Sequence, residues 1–283
     1  MGGDQETRTP ESTTVEERDP ETAYLKQRMS RVKHKIAVIS GKGGVGKSLV
    51  TANLAVALTA EEKRVGVLDA DIHGPCIPKM LGLKGKHMDA GPAGIMPVVS
   101  PSGIRCASMA FLLPSDDSPV IWRGPLKMGA IKQLLAEVAW GELDYLLIDL
   151  PPGTGDEPLS VLQLLPEMDG VIIVTIPSEV SGDVVRKAVT FARQLNVPIL
   201  GIIENMAGML CPHCGKEISV FDGNAGRKVS ETMGVHFLGS IPIDPRVASD
   251  SDEGTPFIAE HKDSPAANAF QGIVEKIVKV VEK

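Results

Sequence analysis

At 283 residues, 43% of them hydrophobic but only 4% aromatic, the chain can bury one substantial core, and one α/β domain is the simplest count. A formal charge of −7 argues against nucleic acid as a main partner, because neutralising phosphates takes a basic face. There is no run of ~18 or more apolar residues, so no membrane span is expected, and the acidic first residues lack the apolar stretch of a signal peptide.

Residues 1–20, MGGDQETRTPESTTVEERDP, hold almost no apolar side chains and read as a disordered acidic tail. Residues 21–283 are then one domain. Asp19-Pro20-Glu21 resembles a helix start, with proline at the first helical position. A helix through Tyr24, Leu25, Met29 and Val32 is expected beside the first strand.

The next stretch, residues 36–53 (IAVISGKGGVGKSLVTAN), organises the rest. An apolar strand, Ile36 to Ile39, feeds a glycine-rich turn from Ser40 to Gly46. Lys47 and Ser48 then open a helix expected over Leu49 to Leu58. Strand, loop and helix in this order are what a phosphate-binding loop requires. Glycines let backbone N–H groups converge on an anion, and the helix N-terminus adds partial positive charge. Gly41, Lys42, Gly43, Gly44, Val45, Gly46, Lys47 and Ser48 are therefore the expected ATP-binding loop. Lys47 would reach the β- and γ-phosphates, and the Ser48 hydroxyl would ligate Mg²⁺.

Lys42, just after the first glycine, makes this loop resemble the deviant Walker A loops of the MinD, ParA, ArsA and nitrogenase iron protein superfamily. The resemblance implies that Lys42 reaches across a dimer interface to the partner's nucleotide.

Arg64 to Leu68 reads as a second buried strand, ending in Asp69-Ala70-Asp71. Acids at a strand's carboxyl end face the crevice where α/β folds bind ligands. Such an aspartate can orient the attacking water or hold a Mg²⁺-bound water. The superfamily resemblance implies a switch aspartate here, Asp71 first and Asp69 second. Residues 84–104 read as a glycine- and proline-rich hairpin outside the sheet core, and Leu126 to Trp140 as a helix. Arg123, before that helix, is either a phosphate or partner contact or a surface ion pair. Leu143 to Leu150 is an apolar strand ending in Asp149, the Walker B pattern, whose carboxylate would hold Mg²⁺ through a water. The Pro151–Asp156 loop corresponds to a second switch by the same resemblance.

Strand Gly170–Ile176, helix Ser181–Gln194 and strand Pro198–Ile203 continue the alternation. They predict a doubly wound, mostly parallel α/β sheet of the P-loop NTPase type. Asn205 follows the last of these strands, and the superfamily resemblance implies that it reads the adenine edge, with residues 239–245 lining the pocket's other side. A helix from Phe221 to Met233, a strand from Val235 to Ile241 and a closing helix from Ala266 to Val281 complete the chain. The closing helix either packs on the sheet or anchors to a membrane in the manner of MinD. Its mixed Glu275, Lys276, Lys279 and Glu282 face favours packing.

DADIHGPCIP at 69–78, WRGP at 122–125, DLPPGTGD at 149–156, ENM at 204–206 and CPHCG at 211–215 together resemble the Mrp/ApbC iron–sulfur carrier family. Cys76 departs from the serine that family leads one to expect. The resemblance covers residues 36 to 245. It implies a cytoplasmic homodimeric ATPase, using ATP and Mg²⁺, that passes a [4Fe–4S] cluster to apo iron–sulfur proteins and works with assembly scaffolds.

Cys211 and Cys214 have the spacing of half a tetrahedral thiolate site. Cys76 and Cys106 stand singly in distant segments and read as core or loop residues. A full four-thiolate site would need Cys211 and Cys214 from two subunits on a two-fold axis. Three occupants or roles compete: a bridging [4Fe–4S] cluster, a structural zinc, also able to substitute in the same thiolates, and a redox pair. His213 is a spare ligand at most. The competing function is a positioning ATPase like MinD or ParA with a zinc clasp; a kinase on the same fold lacks a recognisable second-substrate pocket.

Overall fold

The structure, a computed structural model, describes residues 20–113, 124–211, 213–221 and 223–283. The acidic tail before Pro20, together with Trp122 and Arg123, lies outside them.

The first half of the described chain contains α1 (Pro20–Met29), β1 (Val32–Ser40), α2 (Lys47–Ala60), β2 (Val65–Asp69), α3 (Ile77–Met80), β3 (Ala90–Gly91), β4 (Gly94–Ile95), β5 (Val98–Val99) and β6 (Arg105–Ser108). The second half begins with α4 (Gly124–Glu137), β7 (Leu143–Asp149), α5 (Asp156–Leu164), β8 (Gly170–Thr175), α6 (Glu179–Gln194) and β9 (Ile199–Leu210). It closes with β10 (Glu217–Ile218), α7 (Ala225–Met233), β11 (Phe237–Ile243), α8 (Arg246–Glu253), α9 (Phe257–Glu260) and α10 (Pro265–Val281).

Seven strands run parallel in the order β11-β9-β8-β1-β7-β2-β6. β5 adds antiparallel to β6 at one edge, and β10 pairs antiparallel with the end of β9. The fold is the expected doubly wound, mostly parallel α/β sheet with flanking helices. Its central strands are buried along nearly their whole length, as continuous apolar runs such as Ile36–Ile39 and Val171–Val174 require. β1 lies between β7 and β8, so its carboxyl end, where the glycine loop begins, opens at the middle of the sheet. That is where ligands bind in such folds.

Several expectations change. Val32 begins β1 instead of ending α1, because the chain turns at Ser30 and Arg31, and α1 leans on α4, with Arg28 Nε donating to the Ala136 carbonyl at 3.1 Å. β9 runs on to Leu210, so Asn205 sits within the strand. The 84–104 segment does form a separate hairpin, β3-β4, but Val98–Val99 joins the main sheet edge through β6. β6 itself (Arg-Cys-Ala-Ser) has no apolar run to announce it; pairing with β2 makes it a strand. The short helices α8 and α9 are likewise unannounced.

α10 packs against β11 and α2, burying Phe270, Ile273, Val274 and Ile277. Its apolar face is therefore part of the core. Among the described residues no helix is long and apolar enough to cross a membrane. Truncating a buried phenylalanine removes its burial and leaves a cavity, so Phe270→Ala should lower the free energy of unfolding by about 3–5 kcal/mol in urea denaturation. A loss below about 1 kcal/mol would show that the helix is not packed as described.

Candidate functional site

The loop between β1 and α2 takes the backbone its glycines permit. Gly44 and Gly46 lie at φ 77° and 80°, the left-handed region that disfavours side chains. At Gly46 a Cβ would also come 2.2 Å from Asn205 Nδ2. Asn205 is buried, and its amide donates to the Val45 carbonyl at 2.9 Å, clasping the loop from β9. The next residue, Met206, has φ 59°, a sparsely populated conformation for a side-chain-bearing residue. Gly41 is pressed against Val184 of α6, where a Cβ would meet Val184 Cγ1 at 2.3 Å. Gly43 and Gly44 face open space.

Asp149, fully buried at the end of β7, is the hub below the loop. Its Oδ2 receives Lys47 Nζ at 2.7 Å and Ser48 Oγ at 2.6 Å, and its Oδ1 receives Thr51 Oγ1 at 2.7 Å. Lys47 is itself buried, and its Nζ lies 3.3 Å from Ser48 Oγ. Sequence reading brought Lys47, Ser48 and Asp149 together but missed Thr51. The available signal was its position four residues after Lys47, one helical turn along the same face. Two hard oxygen donors converging at one point, Ser48 Oγ and Asp149 Oδ2, are chemically suited to Mg²⁺.

Asp69 and Asp149 are register partners on neighbouring strands, and the Ala70 amide donates to the Asp149 carbonyl at 2.9 Å. Asp69 is buried; its oxygens accept from the Asp71 amide at 3.2 Å and the Ile77 amide at 3.3 Å. Burial, then the neighbouring Asp149 charge, push its carboxyl well above the usual carboxylate range, against the opposing pull of Lys47. Asp71 is half-buried, its Oδ1 accepting the Gly74 amide at 3.3 Å. Lys42 is half-buried and has no ion-pair partner among the described residues.

Cys211 and Cys214 lie where β9 ends, beyond the loop that Asn205 clasps. The Cys211 amide donates to the Lys216 carbonyl at 2.8 Å, the Gly215 amide returns to the Cys211 carbonyl at 2.9 Å, and Gly215 closes the turn at φ 68°. This tight turn points the His213 and Cys214 amides at the Cys211 sulfur. Those amides, with the Cys214 thiol, lower the Cys211 thiol's pKa, the His213 amide contributing most. Both cysteines are free, Cys211 half-buried and Cys214 exposed. Cys106 is buried in β6 at the other end of the sheet, and Cys76 is exposed at the start of α3. Among the described residues no group of three or more His, Cys, Asp or Glu side chains could hold a metal.

Glu204, also missed in the sequence, is buried beside Asn205 and accepts the Gly226 amide at 2.8 Å. Burial raises its pKa, against the Gly226 and Arg227 amides. It fastens the N-terminus of α7 to β9 one residue before the clasp.

The chain is similar to known proteins along most of its described length. The sequence-family model described as ParA: NUBPL iron-transfer P-loop NTPase matches residues 31–278. A Methanocaldococcus jannaschii protein named iron-sulfur cluster carrier protein is 54% identical over 260 residues, covering 92% of this chain and 89% of that protein. The nucleotide-binding protein from Archaeoglobus fulgidus, solved in complex with ADP and with Co found, superposes with a TM-score of 0.74 at 43% identity, over 82% of this chain and 91% of that one. The septum site-determining protein MinD of Pyrococcus horikoshii, complexed with Mg-ADP, superposes with a TM-score of 0.66 at 26% identity, over 87% and 96% of the two chains.

Asp69 allows a test of the site's electrostatics. Unfolded, its carboxyl titrates near 4; folded, it holds its proton to higher pH. Its contribution to stability is therefore complete below about pH 4 and is lost as pH rises through the folded value. Asp69→Asn should gain stability relative to the parent as pH is raised from about 4 to about 8, measured by urea denaturation at each pH. A difference that stays constant across that range would show that Asp69 does not hold its proton.

Proposed function

Because the chain belongs to the ParA/NUBPL iron-transfer P-loop NTPase family, we propose that it is an ATP-hydrolysing iron–sulfur cluster carrier. It works as a cytoplasmic homodimer that assembles or holds a [4Fe–4S] cluster and passes it to apo iron–sulfur proteins. One observation carries this reading: β9 bears Asn205, which clasps the phosphate-binding loop, and runs directly into the turn that holds Cys211 and Cys214.

The Gly41–Ser48 backbone and Lys47 receive the phosphates, and Lys42 reaches the nucleotide of the partner subunit. Ser48 and Asp149 hold Mg²⁺, which when bound neutralises charge developing on the transferred phosphoryl group. Thr51 keeps the Asp149 carboxylate aimed at that point. Asp71 orients the attacking water; its partial exposure suits it to this better than the buried Asp69, whose carboxyl is pushed well above the usual range. Asn205 holds the loop and borders the base.

The cluster is cargo, held by Cys211 and Cys214 of both subunits, since one chain offers only two thiols at this turn. Zinc can occupy the same thiolates in its place. The rival, a MinD-like positioning ATPase, finds little support in α10, whose apolar face is buried in the core.

Anaerobic reconstitution with iron and sulfide tests the reading, with visible absorption, Mössbauer spectra and metal counting. The parent should bind about four irons per dimer, and Cys211→Ala/Cys214→Ala should bind none. A colourless parent holding about one zinc per dimer would overturn the carrier function in favour of a structural clasp.

A further inference from the structure

The loops that leave β2 and β7 begin side by side, because these strands are neighbours and Asp69 pairs with Asp149. They then diverge, one through Asp71 to His73, the other through the prolines to Asp156 and Glu157. A third element spans the gap. Lys127, in the first turn of α4, is buried, and its Nζ donates to Glu157 Oε1 at 2.5 Å and contacts His73 Nε2. Glu157 Oε1 also lies 3.8 Å from His73 Nε2.

The chemistry of this cluster is restrictive. An ammonium has three donors and no acceptor, so the groups facing it, His73 Nε2 and Glu157 Oε1, can bond it only as acceptors. A buried lysine charge has to be matched, and here the matching groups come from the loop after β2 and from the first turn of α5, where the loop after β7 ends. Moving either segment alone would strip Lys127 of one of its two side-chain partners among the described residues.

Building on the ATPase reading above, we propose that Lys127 is a positioning residue: it locks the 71–76 loop to the 153–157 loop, so that Asp71 and the second loop take up their working geometry together. Lys127 acts through His73 and Glu157 and touches neither nucleotide nor metal. Misplacing a water-orienting carboxylate by about 1 Å is enough to slow a reaction about a hundredfold without changing how substrate is held.

The test uses the full chain with ATP and Mg²⁺, and follows hydrogen exchange of the two loops alongside steady-state hydrolysis. Lys127→Met should lower kcat at least about tenfold while KM for ATP stays within about twofold. Lys127→Arg, which keeps the charge and the donors, should restore most of kcat. Amides of residues 71–76 and 153–157 should exchange faster together in Lys127→Met, while α10 keeps its protection. Unchanged kcat, or faster exchange in one loop only or in neither, would overturn the proposal. Were the parent to hydrolyse no ATP, the ATPase reading would fall, and the paired exchange of the two loops would still decide the role of Lys127.

Discussion

A carboxylate with no exposure to solvent has to find its counter-charge and hydrogen bonds inside the protein, and Asp149 is that carboxylate here. Its three partners, Lys47, Ser48 and Thr51, all come from the first turns of α2. Matching it therefore fixes how α2 enters the core and where the preceding glycine loop must lie. The same burial acts on Asp69, one strand away. Beside Asp149 a second buried negative charge is unfavourable, and the Asp69 carboxyl is pushed well above the usual carboxylate range. Two acids of similar sequence context thus acquire different chemistry from their position in the sheet.

The second organising feature is β9. It is longer than its neighbours because its far half is paired by β11 and β10 rather than by the central strands. Asn205 and Glu204 sit at the point where the strand leaves the middle of the sheet, and their side chains bind in two directions, one to the phosphate-binding loop and one to α7. The positive φ of Met206 falls at this junction. A displacement of the loop against β9 would be felt at the base of the turn that presents Cys211 and Cys214. A short run of β9 backbone thus separates the hydrogen bond that clasps the loop from the cysteine turn.

Much of this was legible in the residues. The parallel sheet follows from apolar runs alternating with helical periods, and the phosphate-binding loop from glycines placed where only glycine fits. Asp149 could be located because an aspartate at the end of an apolar strand has few structural excuses. The Cys-x-x-Cys turn announced itself by spacing and a following glycine. Less legible were contacts made by residues of ordinary type at ordinary positions. Thr51 looks like any helix threonine, Lys127 like any surface lysine, and Glu204 like part of a strand end. β6 carries no run of large apolar residues and becomes a strand only through its neighbours.

The sequence by itself determined the main elements, though not β6, α8 or α9, and the chemistry available to them, because periodicity, glycine placement and residue type are local properties. It determined that phosphate, a divalent cation and thiophilic metal each have suitable donors. The tertiary structure alone decided which donors meet: Thr51 on Asp149, Asn205 on the loop carbonyl, Lys127 between two loops, α10 folded onto the core. It also decided which carboxyl is pushed above the usual carboxylate range. Burial and long-range contact set those outcomes, and both depend on chain segments far apart in sequence, which no local pattern encodes.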